Sequence, residues 1–331
     1  MVRVAVVGLG WWGRIIAGSL QGSAKLTAVR GIDPDPGAAA FARSQGLAHA
    51  TVLGAALDDP AVDAVVLCTP HSLHCEQIVA AAGARKHVFC EKPLSLSRAE
   101  VLRAIDAVKA NGVQLAVGHE KRFEPPLVEI ARLARSGALG TLLQIEANFS
   151  QDKFLALAAD NWRLSAKEAP AGPLTATGIH LVDLAVSLMG PAESVFASVQ
   201  QLGSPLANGD TLAVLARFAG GGQALISAIL ATPFDGRVAV YGSKGWAEVR
   251  DKAHPEAPQG WTLTTALRGE PKRTLEYPPA PAVLANLEAF ADAIAGRAPY
   301  PVPHGEMIAT VSALEAIVKS ARSGAVEAVA G

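Results

Sequence analysis

The stretch VRVAVVGLGWWG, from Val2 to Gly13, joins a short apolar run to three glycines in G-x-G-x-x-G spacing. This is the fingerprint of a dinucleotide-binding strand–turn–helix unit. Gly8, Gly10 and Gly13 permit a tight turn and a close approach of the backbone to a pyrophosphate. The N-terminus of the helix that follows attracts the anion. The stretch therefore predicts a nucleotide-binding parallel sheet.

A carboxylate follows the fingerprint at the spacing that a dinucleotide requires. Asp33 ends the second apolar run, 20 residues after Gly13. There it can accept hydrogen bonds from the adenosine ribose and would repel a 2′-phosphate. We expect NAD as the cofactor, although Arg30 and Arg43 leave NADP open. A glycine-rich turn without a ligand fits this complete pattern less well.

The first 120 residues alternate short apolar runs with segments of helical spacing. Several runs are continuous Val, Ala and Leu, which is typical of strands buried on both faces of a parallel sheet. The alternation predicts a doubly wound fold. The runs are 3–7, 26–32, 62–68, 87–90 and 114–117, and the helical segments include 13–20, 38–45, 76–84 and 98–109.

After about residue 120 the pattern changes to longer runs, some of which alternate. Residues 211–218 and 223–231 are joined by three glycines, which can take the positive φ of a hairpin turn. The proline-rich stretch 277–281 is expected to be a rigid connector within this part. Other expected strands are 142–150, 195–200, 237–241, 247–250 and 261–265, and expected helices are 127–136, 174–189, 282–295 and 306–322.

These patterns predict the α/β class with two domains. Residues 1–120 form a dinucleotide-binding Rossmann domain, and residues 121–331 form an α+β domain with a large, mainly antiparallel open sheet for substrate binding and oligomerisation. The run 211–218 carries apolar residues on both faces. The domain's own helices can cover one face, and the other needs a partner because large apolar patches are rarely left in water. We therefore expect a homodimer or homotetramer.

The composition excludes several classes of protein. Of 331 residues, 50% are hydrophobic and 18% are charged, which excludes a disordered chain. The net charge of −1 argues against nucleic acid as a partner. Three cysteines imply no disulfide framework and fit a reducing compartment. No signal peptide and no membrane-spanning run is seen, so we expect a soluble, cytoplasmic protein that binds no membrane.

Four further polar motifs stand directly after predicted strands or close to them. Ligands of open α/β sheets bind beyond the carboxyl ends of the strands, so this shared position predicts a ligand crevice. The motifs are Thr69-Pro70-His71, Glu91-Lys92-Pro93, Gly118-His119 and Arg122-Phe123.

His71, His74, Cys75 and Glu76 could instead form a metal site. A loop and helix start at a nucleotide site explains them as well, because Pro70 ends the strand and polar groups cap the helix. The sequence supplies no clear fourth ligand from a second cluster, so we expect no metal.

Six stretches carry a family resemblance: VVGLG at 6–10, CTPHSLH at 68–74, KHVFCEKPLS at 86–95, RF at 122–123, GIHLVD at 178–183 and VYGSKG at 240–245. They resemble the glucose–fructose oxidoreductase, inositol dehydrogenase and rhizopine catabolism family (Gfo/Idh/MocA) over nearly the whole chain. The resemblance implies a Rossmann domain joined to an open α/β sheet domain, with sheet-to-sheet pairing of subunits. It also implies hydride transfer between a nicotinamide cofactor and a hydroxyl or carbonyl, usually on a sugar or cyclitol.

The resemblance makes Lys92 the catalytic lysine. The chemistry agrees, because an ammonium beside a pyridinium ring in a desolvated pocket can exchange a proton with the reacting hydroxyl. Glu91 is expected to position the lysine or the cofactor. His180 and Asp183 share a helix face. The resemblance makes His180 a second acid–base group or a substrate ligand, and Asp183 its orienting or substrate-binding companion.

The sequence departs from the family pattern at Ala176, where the family usually has an aspartate four residues before the histidine. Alanine can neither orient an imidazole nor hold a hydroxyl. Thr175 and Thr177 could supply a hydroxyl but not a negative charge. The departure argues against polyol chemistry of the usual kind and leaves cofactor binding intact.

Aromatic residues are scarce, so their positions are informative. Trp11 and Trp12 can line the nicotinamide side of the crevice or simply pack on the next loop. Trp162-Arg163 resembles a family segment that reaches over the cofactor or substrate, where the arginine could hold a carboxylate or phosphate. Expected cofactor-binding residues are Gly8, Gly10, Trp11, Trp12, Gly13, Asp33, Thr69, Pro70, His71, His74, Glu91, Lys92, Trp162 and Arg163, and expected substrate-binding residues are Lys92, His119, Arg122, Trp162, Thr177 and His180.

The sequence favours an NAD(P)-dependent oxidoreductase acting on a CH–OH group of a sugar, cyclitol or related small molecule. Ala176 keeps two alternatives open. One is a non-catalytic dinucleotide-binding or sensor protein, and the other is a dehydrogenase of a non-sugar carbonyl compound.

Overall fold

The computed structural model describes all 331 residues, which form two compact units. The first unit consists of Met1–Glu120 and Val283–Met307, and the second of Lys121–Ala282 and Ile308–Gly331.

The first unit is built on a parallel sheet of six strands. The strands are β1 (Val2–Val7), β2 (Leu26–Ile32), β3 (Ala48–Ala50), β4 (Ala64–Leu67), β5 (His87–Cys90) and β6 (Leu115–Val117), and the helices between them are α1 (Trp11–Leu20), α2 (Pro36–Ser44), α3 (Gly54–Leu57), α4 (His74–Gly83) and α5 (Arg98–Asn111). Their order is β3-β2-β1-β4-β5-β6, so the expected Rossmann sheet is confirmed. The winding reverses between β1 and β4, and the carboxyl ends of these strands border the crevice where such sheets bind ligands.

Burial explains why the central strands read as continuous apolar runs. All four residues of β4 are buried, and so are five of the six residues of β1. Helix α5 shows how the flanking helices are delimited. The Ser97 hydroxyl accepts the Glu100 N–H at its start, and Gly112, with a φ of 64°, ends it.

The second unit contains a sheet of nine strands. They are β7 (Leu142–Ser150), β8 (Ala192–Gln200), β9 (Thr211–Phe218), β10 (Gln223–Ile229), β11 (Asp235–Gly242), β12 (Gly245–Asp251), β13 (Trp261–Leu267), β14 (Arg273–Tyr277) and β15 (Glu327–Ala328). Their order is β14-β13-β12-β11-β7-β10-β9-β8-β15, and only β7 and β10 pair in parallel, so the mainly antiparallel open sheet is confirmed. Helices α6 (Pro125–Arg135) and α7 (Ile179–Met189) pack their apolar residues into its core.

The last two helices, α8 (Ala282–Ile294) and α9 (His304–Ser323), serve different units. Leu287 and Phe290 of α8 are buried in the core of the first unit, where Phe290 lies 6.0 Å from Phe89 between ring centroids. Residues of α9 beyond 308 join the core of the second unit. The predicted second domain, residues 121–331, therefore differs from the second unit over residues 283–307, which belong to the first unit. The proline-rich stretch 277–281 lies just before the chain enters the first unit.

The expected single helix over 174–189 has two parts. Leu174–Gly178 forms one π-helical turn, and α7 follows from Ile179. Single π turns are frequent at functional sites because they re-aim the side chains of a helix. No helix of the chain has both the length and the apolar character needed to cross a membrane.

Candidate active site

Three glycines shape the turn between β1 and α1. Gly8 has a φ of 88°, and a Cβ atom there would lie 2.7 Å from the carbonyl oxygen of Cys68. A Cβ at Gly13 would collide with the carbonyl oxygen of Gly8, whereas one at Gly10 would meet nothing within 4 Å. Gly10 is also the N-cap of α1, so no side chain caps the first amides of the helix. This turn fits a pyrophosphate at the helix N-terminus.

Asp33 directly follows β2 and is held by two backbone amides. Its Oδ2 accepts the Leu9 N–H at 2.6 Å, and its Oδ1 accepts the Asp35 N–H at 2.8 Å. The carboxylate is thereby fixed beside the glycine turn, where it suits the hydroxyls of an adenosine ribose. Arg30 donates to the Asp59 carboxylate at 2.6 and 3.2 Å, so its guanidinium is engaged elsewhere.

His74 connects two of the strand-end motifs. The residue is fully buried, its Nδ1 lies 2.8 Å from the carbonyl oxygen of Pro93, and its Nε2 lies 3.0 Å from that of Thr69. Both ring nitrogens are thus occupied by the protein's own backbone. The sequence predicts a direct cofactor contact for His74, whereas the structure gives it a positioning contact between the loops after β4 and β5. The same occupancy argues against a metal at His74, since a metal needs a free nitrogen lone pair.

Glu91 is buried at the end of β5, between the glycine turn and Lys92. A Cβ at Gly118 would lie 2.5 Å from its carboxylate, so this position has no room for a side chain. The Trp12 side chain lies beside the carboxylate and works to lower its pKa, although the buried indole Nε1 makes no hydrogen bond, and the Lys92 N–H lies 3.3 Å from its Oε2. Burial, together with the negative charge of Glu120, raises the pKa of Glu91 to about 7. The fold therefore brings Trp12, Glu91 and Lys92 together, and the Trp12 side chain packs beside the Glu91 carboxylate.

Asp183 is paired with Arg122 within the second unit. The arginine Nε donates to Oδ2 at 2.5 Å and its Nη2 to Oδ1 at 2.7 Å, and both side chains are largely buried. Thr310 also donates to Oδ1, at 3.4 Å. The sequence predicts that Asp183 orients His180 or binds substrate and that Arg122 binds substrate. The structure pairs the two side chains in a buried ion pair that fixes the start of α7 to the 120–123 turn, and their predicted roles stay predictions.

His180 lies on α7 beside the ring of Phe149, with 6.1 Å between ring centroids. The Thr177 hydroxyl donates to the carbonyl oxygen of Phe149 at 2.7 Å, which attaches the π turn to β7. Thr175 likewise donates to the carbonyl oxygen of Gly172. The Thr177 hydroxyl thus donates to the backbone, and its predicted substrate contact stays a prediction.

Phe149 is the centre of an aromatic group that the sequence does not single out. Its ring lies 6.1 Å from Phe234 and 5.7 Å from His254, and the buried Lys121 ammonium lies 5.0 Å from its centroid. No local spacing marks these residues, because they come from β7, from the residue before β11 and from the loop after β12. Lys121 also forms buried ion pairs with Glu124 and Asp251.

The remaining predicted residues lie in two places. Trp162 and Arg163 share a short turn of the second unit, with the guanidinium 4.3 Å from the indole ring centroid. His71 and His119 are buried in the first unit, and Trp11 is half-buried at the start of α1.

Two family models match the chain. A model described as an oxidoreductase family with an NAD-binding Rossmann fold matches residues 2–119, and one described as the GFO/IDH/MocA C-terminal domain matches residues 127–248. An inositol 2-dehydrogenase of Rhizobium meliloti is 30% identical over 254 residues, which is 74% of this chain and 74% of that protein.

Other curated relatives match over a shorter part of their length. An uncharacterised oxidoreductase of Bacillus subtilis, YrbE, is 33% identical over 224 residues, 65% of this chain and 63% of that protein. A myo-inositol 2-dehydrogenase of Thermotoga maritima is 34% identical over 198 residues, 57% of each chain. The chain thus spans less than two thirds of these two relatives.

Solved structures match the whole chain. An aldose–aldose oxidoreductase from Caulobacter crescentus, complexed with glycerol, has a TM-score of 0.87 at 26% identity over 99% of each chain. GenD2 from gentamicin A biosynthesis, in complex with NAD, has a TM-score of 0.85 at 26% identity over 100% of this chain and 97% of that one.

The raised pKa of Glu91 predicts how stability depends on pH. The unfolded carboxyl ionises near 4.5 and the folded one near 7, so the folded state holds the extra proton between these values and loses stability as pH rises through the window. Above it the loss is on the order of 3 kcal/mol, from ~1.4 kcal/mol per pKa unit. Glu91→Gln removes this dependence and should gain stability relative to the parent from pH 4.5 to 8.

Urea denaturation at several pH values measures this difference. Glu270→Gln, a change at an exposed carboxyl, is the matched control and should show a constant difference from the parent. A constant difference for Glu91→Gln as well would show that the carboxyl is not buried as described.

Proposed function

Since the chain belongs to the GFO/IDH/MocA family of oxidoreductases, we propose that it transfers hydride between a nicotinamide cofactor and a hydroxyl or carbonyl group of a sugar, cyclitol or related small molecule. The observation that carries this proposal is the buried Glu91 carboxyl, which lies beside Trp12 of the fingerprint and directly precedes Lys92. The inositol dehydrogenases among its relatives support the substrate class.

The first unit offers the residues that would hold the cofactor. The turn from Gly8 to Gly13 and the amides of α1 suit the pyrophosphate, and Asp33 suits the ribose. A carboxylate at that position disfavours a 2′-phosphate, so NAD(H) is the proposed cofactor. Bound there, the nicotinamide supplies the hydride acceptor or donor.

Lys92 is the proposed proton-transfer group. In the oxidation direction it takes the proton of the substrate hydroxyl as the carbon of that group gives up hydride, which leaves a carbonyl, and reduction reverses both transfers. Below about pH 7 the Glu91 carboxyl is largely neutral, so it does not hold the lysine in its ammonium form by charge. Glu91 is therefore a positioning residue that leaves the lysine able to move a proton.

His180 is the proposed second group on the substrate side. The ring is buried and contacts Phe149, and the ion pair between Arg122 and Asp183 fixes the helix that carries it. With Ala176 in place of the family's usual aspartate, no carboxylate stands four residues before the imidazole. We therefore assign more of the proton transfer to Lys92.

A non-sugar carbonyl substrate is a second candidate. Phe149 and Phe234 pack edge to face close to His180, and Ala176 adds an apolar group one turn before the histidine. Such surroundings favour a substrate with fewer hydroxyls than a cyclitol. NADH absorbance measured across polyols, aldoses and simple carbonyl compounds separates the two candidates, while NAD binding without turnover on any of them would favour a sensor.

A reducing compartment is proposed for this chain. None of its three cysteines forms a disulfide, which is usual for cytoplasmic proteins. We propose the cytoplasm on that basis.

One face of the nine-stranded sheet carries exposed apolar side chains. Phe196, Leu215 and Leu225 are directly paired neighbours on β8, β9 and β10, and they remain 42%, 38% and 43% exposed. The same row continues into charged residues, where Arg237 bonds to Glu146 and Glu248. Uncovered apolar rows of this kind mark protein contacts, so a homodimer or homotetramer formed through this face is proposed.

Removal of the lysine amine tests the catalytic proposal. Lys92→Met should lower kcat by about 10²–10⁴-fold, the usual contribution of a positioned acid–base group, while the Kd for NAD stays within a few-fold because the amine acts at the reacting carbon. His180→Ala should lose less. Lys109→Met, at an exposed position of α5, is the control. Near-normal kcat in Lys92→Met would remove this residue from the mechanism.

A charge placed in the apolar row tests the assembly. The parent should scatter light as a multiple of its 34.1 kDa chain mass at micromolar concentration, and Leu215→Glu should shift it toward the monomer because burial of an unpaired carboxylate is costly. Leu202→Glu changes an exposed apolar residue outside the sheet and should leave the mass unchanged. A monomeric parent would refute the proposal.

A further inference from the structure

Arg14 lies in the first turn of α1, directly after the glycine fingerprint. Its Nε donates to the carbonyl oxygen of Leu9 at 2.9 Å, and its guanidinium carbon lies 5.0 Å from the ring centroid of Phe41. The hydrogen bond and the cation–π contact fix the guanidinium between the glycine turn and α2. No spacing in the sequence links this residue to Asp33, so the sequence alone does not single it out.

Arg14 and Asp33 are anchored to the same residue. Asp33 accepts the Leu9 N–H, and the Arg14 guanidinium donates to the Leu9 carbonyl oxygen. A carboxylate and a guanidinium therefore flank one residue of the turn after β1. Asp33 is the position that meets the 2′-hydroxyl of an adenosine ribose, so the guanidinium lies beside that hydroxyl's expected place.

The Nη groups of Arg14 make no hydrogen bond in the structure, since the single bond of this side chain uses Nε. A guanidinium held in this way keeps a fork of N–H donors for a ligand. That fork matches two oxygens of a phosphate, and such charge-assisted pairs are among the strong hydrogen bonds of proteins.

The two arginines that the sequence suggested for this role are placed differently. Arg30 is on β2, about 10 Å along the strand from Asp33 at ~3.3 Å per residue, and it is paired with Asp59. Arg43 is in the last turn of α2, about 10 Å along the helix from Pro36 at ~1.5 Å per residue. Neither is fixed to the glycine turn.

We infer that Arg14 is a specificity-determining residue of the cofactor site, and that its guanidinium binds the 2′-phosphate of an NADP-type dinucleotide. The inference rests on the proposed function, because it concerns the same adenosine subsite. Asp33 sets the preference for NAD(H), and Arg14 limits that preference by attracting the phosphate that Asp33 repels. NADP(H) is then a weaker second cofactor rather than an excluded one.

Calorimetric titration of NAD+ and NADP+ into the parent and into Arg14→Gln tests this assignment. Loss of a bidentate charge-assisted bond should raise the Kd for NADP+ by about 10–100-fold, while the Kd for NAD+ stays within about three-fold. Arg43→Gln is the matched control and should change neither Kd. Arg14 is exposed, so this variant should fold.

Titrations of a variant that lacks the Asp33 carboxylate provide a second test. Asp33→Asn should tighten NADP+ binding by removing the repulsion, and adding Arg14→Gln to it should abolish that gain. An equal effect of Arg14→Gln on both cofactors, or a loss of NADP+ binding in Arg43→Gln instead, would overturn the inference and leave the proposed function standing. A parent that binds neither dinucleotide would overturn both.

Discussion

The burial of one carboxyl group, that of Glu91, is the constraint on which the candidate site depends. Three strand ends converge on it. Trp12 comes from the first turn of α1 after β1, Glu91 itself directly follows β5, and the backbone of Gly118 after β6 leaves the space that the carboxylate fills. Taking a carboxyl out of water is costly, and here the cost appears as a raised pKa. The residue that follows is Lys92, so the geometry that buries the acid also places the amine.

His74 helps to hold the same region in place. By bonding to the carbonyl oxygens of Thr69 and Pro93, it ties the loop after β4 to the loop that carries Lys92. The ion pair of Arg122 with Asp183 performs a comparable task for α7 in the second unit. These residues act through others. Their polar atoms are engaged by the protein, so our proposal leaves the chemistry to Lys92 and His180.

The sequence predicted what depends on local pattern. The glycine spacing, the position of Asp33 and the continuous apolar runs fix the Rossmann sheet, because each follows from neighbours along the chain. It did not predict contacts between distant residues. Arg122 and Asp183 are 61 positions apart, and each has a polar side chain that suits a ligand equally well. The hydrogen-bond partners of His74 were not predicted either, because they depend on the burial of its side chain, which only the fold reveals.

Two features of the second half of the chain also depend on contacts that the sequence does not reveal. Helix α8 has an apolar face that any core could accept, and only the fold reveals that it packs in the first unit. The group around Phe149 is assembled from separate strands and a loop, without a motif. Ala176, in contrast, could be interpreted from the sequence alone, since an alanine side chain carries no polar atom whatever surrounds it.

The account depends most directly on the environment of the Glu91 carboxyl. Its titration can be followed by NMR of protein carrying ¹³C-labelled glutamate side chains, with Glu91→Gln used to assign the signal. The account predicts a pKa near 7 that shifts when NAD+ is added. A carboxyl that titrates near 4.5 and does not respond to NAD+ would contradict it.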